Sequence, residues 1–174
     1  MKPDPDYSEY LASWTEGYDR LNYTGGLAGY FLKKSHAWCE NTFSKNDHFP
    51  VVLEVGAGTG IHIQFVRHKF DKYIMTDLNP PMLTQIKPPM EPTNGTIVVE
   101  KEDATRLSFS DNSFDRVIAA HILEHLYKPY EVLREWHRVL KPGGVLSLVL
   151  PCDPGLAWRL GRSFGPRRKF EHSG

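Results

Sequence analysis

Apolar and polar positions along this chain fall into blocks, and the period of each block predicts an element. Val51-Val52-Leu53, Val117-Ile118-Ala119 and Val145-Leu146-Ser147-Leu148-Val149-Leu150 are nearly continuous apolar runs, the pattern of strands covered on both faces. Stretches with helical spacing lie between such runs. The order is strand 51–55, helix 59–69, strand 72–76, helix 80–86, strand 96–100, strand 114–120, helix 129–140 and strand 144–150. Strands that alternate with helices predict a mostly parallel sheet flanked by helices, an α/β architecture, because parallel neighbours require a crossover. Lys87-Pro88-Pro89-Met90-Glu91-Pro92 cannot continue a helix and predicts a surface loop.

Three regions follow from this pattern: a leader over 1–49, a core over 50–151 and the start of a C-terminal part over 152–174. The leader is rich in aromatics, with Tyr7, Tyr10, Trp14, Tyr18, Tyr23, Tyr30, Phe31 and Trp38, and is broken at Gly25-Gly26. The spacing of Leu32, His36 and Cys39 predicts a helix near 27–42. It reads either as a cap or lid over a site or as a helix that covers the sheet. In the C-terminal part Arg159, Arg162, Arg167, Arg168 and Lys169 interleave with Leu156, Trp158, Leu160 and Phe164. That spacing suits a solvated helix face, or an amphipathic segment against an anionic substrate or membrane surface, although Gly161 and Gly165 weaken any helix.

Composition narrows the function classes. The 174 residues suit one domain, or one domain with an appendage, and 21 basic residues balance 21 acidic ones, which weighs against nucleic acid and gives no support to a membrane-surface protein. No apolar stretch reaches the roughly 18 residues of a membrane span, and the polar start lacks a signal-peptide core, so a cytoplasmic location is expected. Cys39 and Cys152 are far apart and indicate no disulfide framework, and Cys152 reads as packing rather than as a nucleophile.

The chemistry concentrates where the first strand ends, at Leu53-Glu54-Val55-Gly56-Ala57-Gly58-Thr59-Gly60. Glycines permit positive φ and let a ligand approach backbone amides, as in nucleotide-binding strand-turn-helix units. The spacing G-x-G-x-G departs from the dinucleotide pattern G-x-G-x-x-G, and Glu54 would add like charge near a pyrophosphate. A carboxylate at that point suits a ligand that carries a cation instead, such as S-adenosylmethionine with its ammonium and sulfonium. Asp77, nineteen residues after Gly58 and at the end of the second strand, fits a ribose diol, with an N-cap role for Asp77 or Asn79 as the alternative. Asp103 could accept an adenine amine while the backbone at Ala104 meets the ring, or these acids could be solvated loop.

Taken together, LEVGAGTG at 53–60, Asp77, EDA at 102–104, FDRVIAAHILEHL at 114–126 and LREWHRVLKPGGVLSLVLP at 133–151 make the chain resemble the class I S-adenosylmethionine-dependent methyltransferases, particularly the type 11 branch. The resemblance implies a Rossmann-like sheet and methyl transfer from S-adenosyl-L-methionine to a small-molecule, lipid or saccharide acceptor by in-line displacement. It implies that Glu54, Gly56, Ala57 and Gly58 surround the methionine part, that Asp77 binds the ribose and that Leu78 packs on the adenine. It further implies that Asp103 and Ala104 hold the adenine edge and that His121 lies near the methionine end. His121 and His125 are the candidate bases. Members of this family continue past the fifth strand with a helix and an antiparallel hairpin, so this chain, ending at Gly174, is expected to be truncated after that strand. Nothing in the sequence specifies an oligomeric state.

Two other readings compete. His121-Ile122-Leu123-Glu124-His125 spells H-x-x-E-H, a zinc motif when it lies within a helix, but here it follows a buried strand and no metal is expected. An NAD(P)-binding oxidoreductase domain is the runner-up, disfavoured by Glu54 and the glycine spacing, and a non-catalytic cofactor-binding fragment is a third possibility.

Overall fold

The computed structural model describes residues 26–86 and 95–150. The leader before Gly26, the proline-rich stretch at 87–92, Cys152 and the basic C-terminal run therefore lie, wholly or nearly so, outside the described residues. In chain order the elements are helix α1 (Gly26–Glu40), strand β1 (Val51–Val55), strand β2 (Lys72–Asp77), the single helical turn α2 (Pro80–Leu83), strand β3 (Thr96–Lys101), strand β4 (Phe114–Ala120), helix α3 (Pro129–Val139) and strand β5 (Leu140–Val149). Two short 3-10 turns, His62–Phe65 and Leu123–His125, follow β1 and β4.

All five strands pair in parallel, in the order β3-β2-β1-β4-β5. The chain steps outward from β1 through β2 to β3 and then returns to place β4 on the other side of β1. In open α/β sheets that reversal leaves a crevice at the carboxyl ends of the strands, where ligands bind. Here it lies between β1 and β4.

Alternation along the strands builds two cores. Leu53, Val55, Phe114, Val117 and Ala119 pack with Val132, Trp136 and Val139 of α3 on one face. Val52, Tyr73, Met75 and Ile118 pack with Ala57, Ile63 and Phe70 on the other. Helix α1 contacts β5 and the 3-10 turn at His62–Phe65. Helix α3 starts with Pro129, carries Glu131 in its first turn and ends with His137 and Arg138, which complements the helix dipole. Its Trp136 indole donates to Ala104 O at 2.8 Å, and Arg138 donates to Phe109 O and Leu107 O. These bonds fix the loop after β3 against the helix.

The expected strands match the observed ones, with β2 and β3 one residue longer. Strand β5 begins earlier, at Leu140, and takes in Lys141-Pro142-Gly143-Gly144 through a register shift opposite Phe114 and Arg116. The helix expected over 59–69 is not formed. In its place stands the four-residue 3-10 turn, whose N-cap Ile61 offers no side-chain bond, and the chain turns extended at Val66. Left-handed Gly60 and β-branched Ile61, Ile63 and Val66 disfavour a longer helix there. The helix expected over 80–86 likewise shortens to one turn.

Candidate functional site

The glycine turn after β1 holds Gly56, Gly58 and Gly60 at φ of 66°, 56° and 74°. A side chain at Gly56 would meet Ile122 Cδ1 at 2.1 Å, the movable end of that side chain, so it is the backbone angle that favours glycine and Ile122 would have to shift. The turn is tied to β2 at two points: Ala57 N donates to Thr76 O (2.8 Å) and Gly58 N donates to Asp77 Oδ2 (2.9 Å). Asp77 Oδ1 accepts from Asn79 N at 2.8 Å, while the side chain of Asn79 makes no capping bond to α2. Asp77 therefore stands at the carboxyl edge as the link between the turn and the end of β2. The exposed Leu78 follows it at the same edge.

Glu54 lies on the sheet face opposite α3. Its side chain is buried and accepts a hydrogen bond from the Tyr73 hydroxyl at 2.8 Å. Burial pushes its carboxyl above the ordinary value, against the lowering influence of His62 and of the Tyr73 bond. No lysine, arginine or histidine forms an ion pair with it among the described residues. A recess lined by Glu54, Gly56, Ala57, Gly58, Thr59, Ile61, Ala120 and His36 opens beside it. A buried carboxylate without a cationic partner among the described residues, next to a bend of open backbone, is the donor and acceptor set that a cationic nucleoside fits.

The remaining expected residues separate. Asp103 Oδ1 accepts from the Thr105 amide (2.8 Å) and hydroxyl (2.7 Å), an Asx-type turn on an exposed loop. Ala104 is buried, with its carbonyl already taken by Trp136. His121 directly follows β4 at φ 57°, and its Nε2 lies 2.8 Å from Ser35 Oγ of α1. Burial lowers its pKa, against the raising influence of Glu124. His125 is exposed on the second 3-10 turn. His121 and His125 therefore do not share a helix face, as a zincin pair would.

Sequence reasoning missed a chain of buried polar groups above Glu54. Arg116 of β4 and Glu40 of α1, both fully buried, form a two-pronged pair at 2.6 and 3.0 Å. Glu40 Oε1 also lies 2.9 Å from His62 Nε2, and His62 Nδ1 lies 2.8 Å from His36 Nδ1. Arg116 donates to Ser147 Oγ and lies over the Phe43 ring at 4.0 Å. Burial by itself would raise the Glu40 carboxyl. Hydrogen bonds from His62 and Arg116, with the guanidinium charge, overcome this and hold it at about 2. Cys39, Glu40 and His62 bring ligand-type atoms within 4.8 Å of one another, but the Arg116 guanidinium occupies the same pocket and would repel a metal cation. Two signals could have revealed the network. A charged residue inside the apolar strand 114–120 requires a buried partner, and His36 and Glu40 lie one helical turn apart.

A five-stranded parallel sheet with a glycine turn and an acidic residue at the end of the second strand defines a nucleoside-binding α/β domain. A family model described as "Methyltransferase domain" matches residues 53–148, more than half of the chain. The chain belongs to that family, the class I S-adenosylmethionine-dependent methyltransferases of the type 11 branch. A rice 2-methyl-6-phytyl-1,4-hydroquinone methyltransferase is 33% identical over 105 residues, covering 59% of this chain and 31% of that protein. A demethylmenaquinone methyltransferase from Bacteroides fragilis is 29% identical over 143 residues, covering 79% and 56%. The chain thus spans about a third to about half the length of these two relatives. A solved phosphoethanolamine N-methyltransferase 1 from Haemonchus contortus, in complex with phosphoethanolamine and S-adenosylhomocysteine, shares the fold with a TM-score of 0.62 at 18% identity, over 85% of this chain and 32% of that one. The nicotinamide alternative gains no support from these matches. Among the described residues no helix is long and apolar enough to cross a membrane.

Proposed function

We propose that this chain binds S-adenosyl-L-methionine in the recess beside Glu54 and directs its methyl group to a small-molecule acceptor. The observation that carries this reading is the buried Glu54 carboxyl, bonded to the Tyr73 hydroxyl and without a cationic partner among the described residues, next to the left-handed glycine turn. When bound, the cofactor supplies an electrophilic methyl group on a sulfonium.

In this reading Glu54 receives the ammonium, and the backbone of Gly56, Ala57 and Gly58 surrounds the methionine part. Asp77 accepts the ribose hydroxyls, Leu78 covers the adenine, and Asp103 and Ala104 border its edge. His121 bounds the methionine end, and His125 stands on the acceptor side. Because the donor is already activated, these residues serve chiefly to align the reactants and exclude water. The rice and Bacteroides relatives are named for a phytyl hydroquinone and for demethylmenaquinone, so an aromatic diol is the first acceptor class to test, ahead of other lipids and saccharides. The balanced charge disfavours nucleic acid as acceptor, and this reading puts the chain in the cytoplasm.

The test is transfer of labelled methyl from S-adenosylmethionine to 1,4-naphthoquinol, phosphoethanolamine and a hexose. Label in the extracted quinol supports the reading. Binding of S-adenosylhomocysteine without transfer to any acceptor would favour a non-catalytic binder, and neither binding nor transfer would overturn the proposal.

A further inference from the structure

Tyr73 and Glu54 stand diagonally on one face of the sheet. Tyr73 of β2 pairs with Val52, two residues before Glu54 on β1, and Glu54 pairs with Met75. A tyrosine side chain spans that diagonal, and its hydroxyl donates to Glu54 Oε2 at 2.8 Å. The ring is fully buried in a cluster with Val52, Phe70, Met75 and Ile118, its centroid 5.2 Å from that of Phe70. Such packing keeps it from swinging off its partner. Burial, with the Glu54 carboxyl beside it, pushes the phenol well above its ordinary value, so the hydroxyl stays protonated and donates. The second oxygen of Glu54, Oε1, accepts no hydrogen bond among the described residues, yet it is not sealed from solvent. Glu54 lines the recess together with Gly56, Ala57 and Gly58.

We propose that Tyr73 is a positioning residue for the cofactor: it holds Oε2 of Glu54 and leaves Oε1 as the oxygen that receives the ammonium. The inference rests on the methyltransferase reading. It gives the tyrosine of β2 a role that packing does not require, since phenylalanine would fill the same space apart from the hydroxyl. A carboxylate turned away from water needs a donor to stay ionised. Tyr73 supplies one without a charge that would compete with the ligand's cation. Around Glu54 stand His62 of the 3-10 turn, Glu40 of α1 and Arg116 of β4, and His36 of α1 lines the same recess. Burial is the main influence and raises the Glu54 carboxyl; His62, the Tyr73 bond and Arg116 lower it, and Glu40 raises it. Of these groups only Tyr73 bonds to the carboxyl directly.

The test is carbon NMR of the whole chain labelled at its glutamate carboxyls and titrated with pH, with Glu54→Gln used to assign the signal. Tyr73→Phe should raise the Glu54 midpoint in the free protein. On the acid side of that midpoint the variant should bind S-adenosylhomocysteine about tenfold more weakly, and the deficit should shrink as pH passes it. Binding weakened equally at every pH, with the midpoint unmoved, is the mark of packing alone and would overturn the inference. If Tyr73→Phe fails to fold, the unmutated chain labelled at tyrosine Cζ decides. Its Tyr73 signal should move at the Glu54 midpoint, and a signal indifferent to that titration would overturn the inference. Both contrary results leave the methyltransferase reading standing as long as S-adenosylhomocysteine binds the unmutated chain. Failure of that binding would overturn both.

Discussion

Glu54 joins two properties that oppose each other, a carboxyl that burial keeps from ionising and a position beside open amides where a cation is wanted. A bound cation favours the ionised form, so the Glu54 pKa must fall on binding. Between the lowered and raised values binding releases a proton, and affinity for S-adenosylhomocysteine should climb with pH until the raised value is passed. Calorimetry in buffers of different ionisation enthalpy reads that proton directly. Glu54→Gln should weaken binding about tenfold to a hundredfold, the worth of a hydrogen bond to a charged group, and flatten this dependence. Gly56→Ala should weaken binding measured the same way, because the φ of 66° strains an alanine and Ile122 must shift to admit its methyl group. The glycines and Glu54 were legible in the sequence because their spacing is local. The Tyr73 bond to Glu54 was not, since it depends on how β2 lies beside β1.

At the scale of elements, helix α1 is fastened to the sheet by charge as well as by apolar packing. Arg116→Met should destabilise the fold by about 3–5 kcal/mol in urea unfolding, because Glu40 is left buried without its partner. The pair Arg116→Met with Glu40→Leu should recover much of that loss. Acid should loosen the same helix. His36 titrates at about 3 in the fold against an ordinary 6.5, so the unfolded chain binds the extra proton and stability drops as pH falls through that window. Glu40, at about 2 against 4.5, adds its own loss as pH falls further. Amide exchange in α1, corrected for intrinsic rate, should be faster at about pH 5 than at about pH 7, and equal protection would contradict this. Helix α1 was readable from its spacing, and so were the strands from their apolar runs. The helix expected over 59–69 failed because apolar spacing does not register the left-handed glycine and the missing cap at its start.

Across the whole molecule, the reversal of strand order between β1 and β4 brings the glycine turn, Asp77 and His121 to one edge of the sheet. Alternating strands and helices predicted a parallel sheet, but the order β3-β2-β1-β4-β5 required the pairings themselves. The Arg116–Glu40–His62–His36 chain joins residues up to 80 positions apart, and only the packed fold assembles it. Its traces in the sequence were a charge inside an apolar strand and the one-turn spacing of His36 and Glu40. The family match covers this same edge, from Leu53 into β5 at Leu148. The most direct measurement is calorimetric titration of the chain with S-adenosylhomocysteine and, separately, with NADH. Saturable one-to-one binding of S-adenosylhomocysteine with no heat from NADH is expected, whereas binding of NADH alone would contradict selection of a cationic sulfur nucleoside by Glu54.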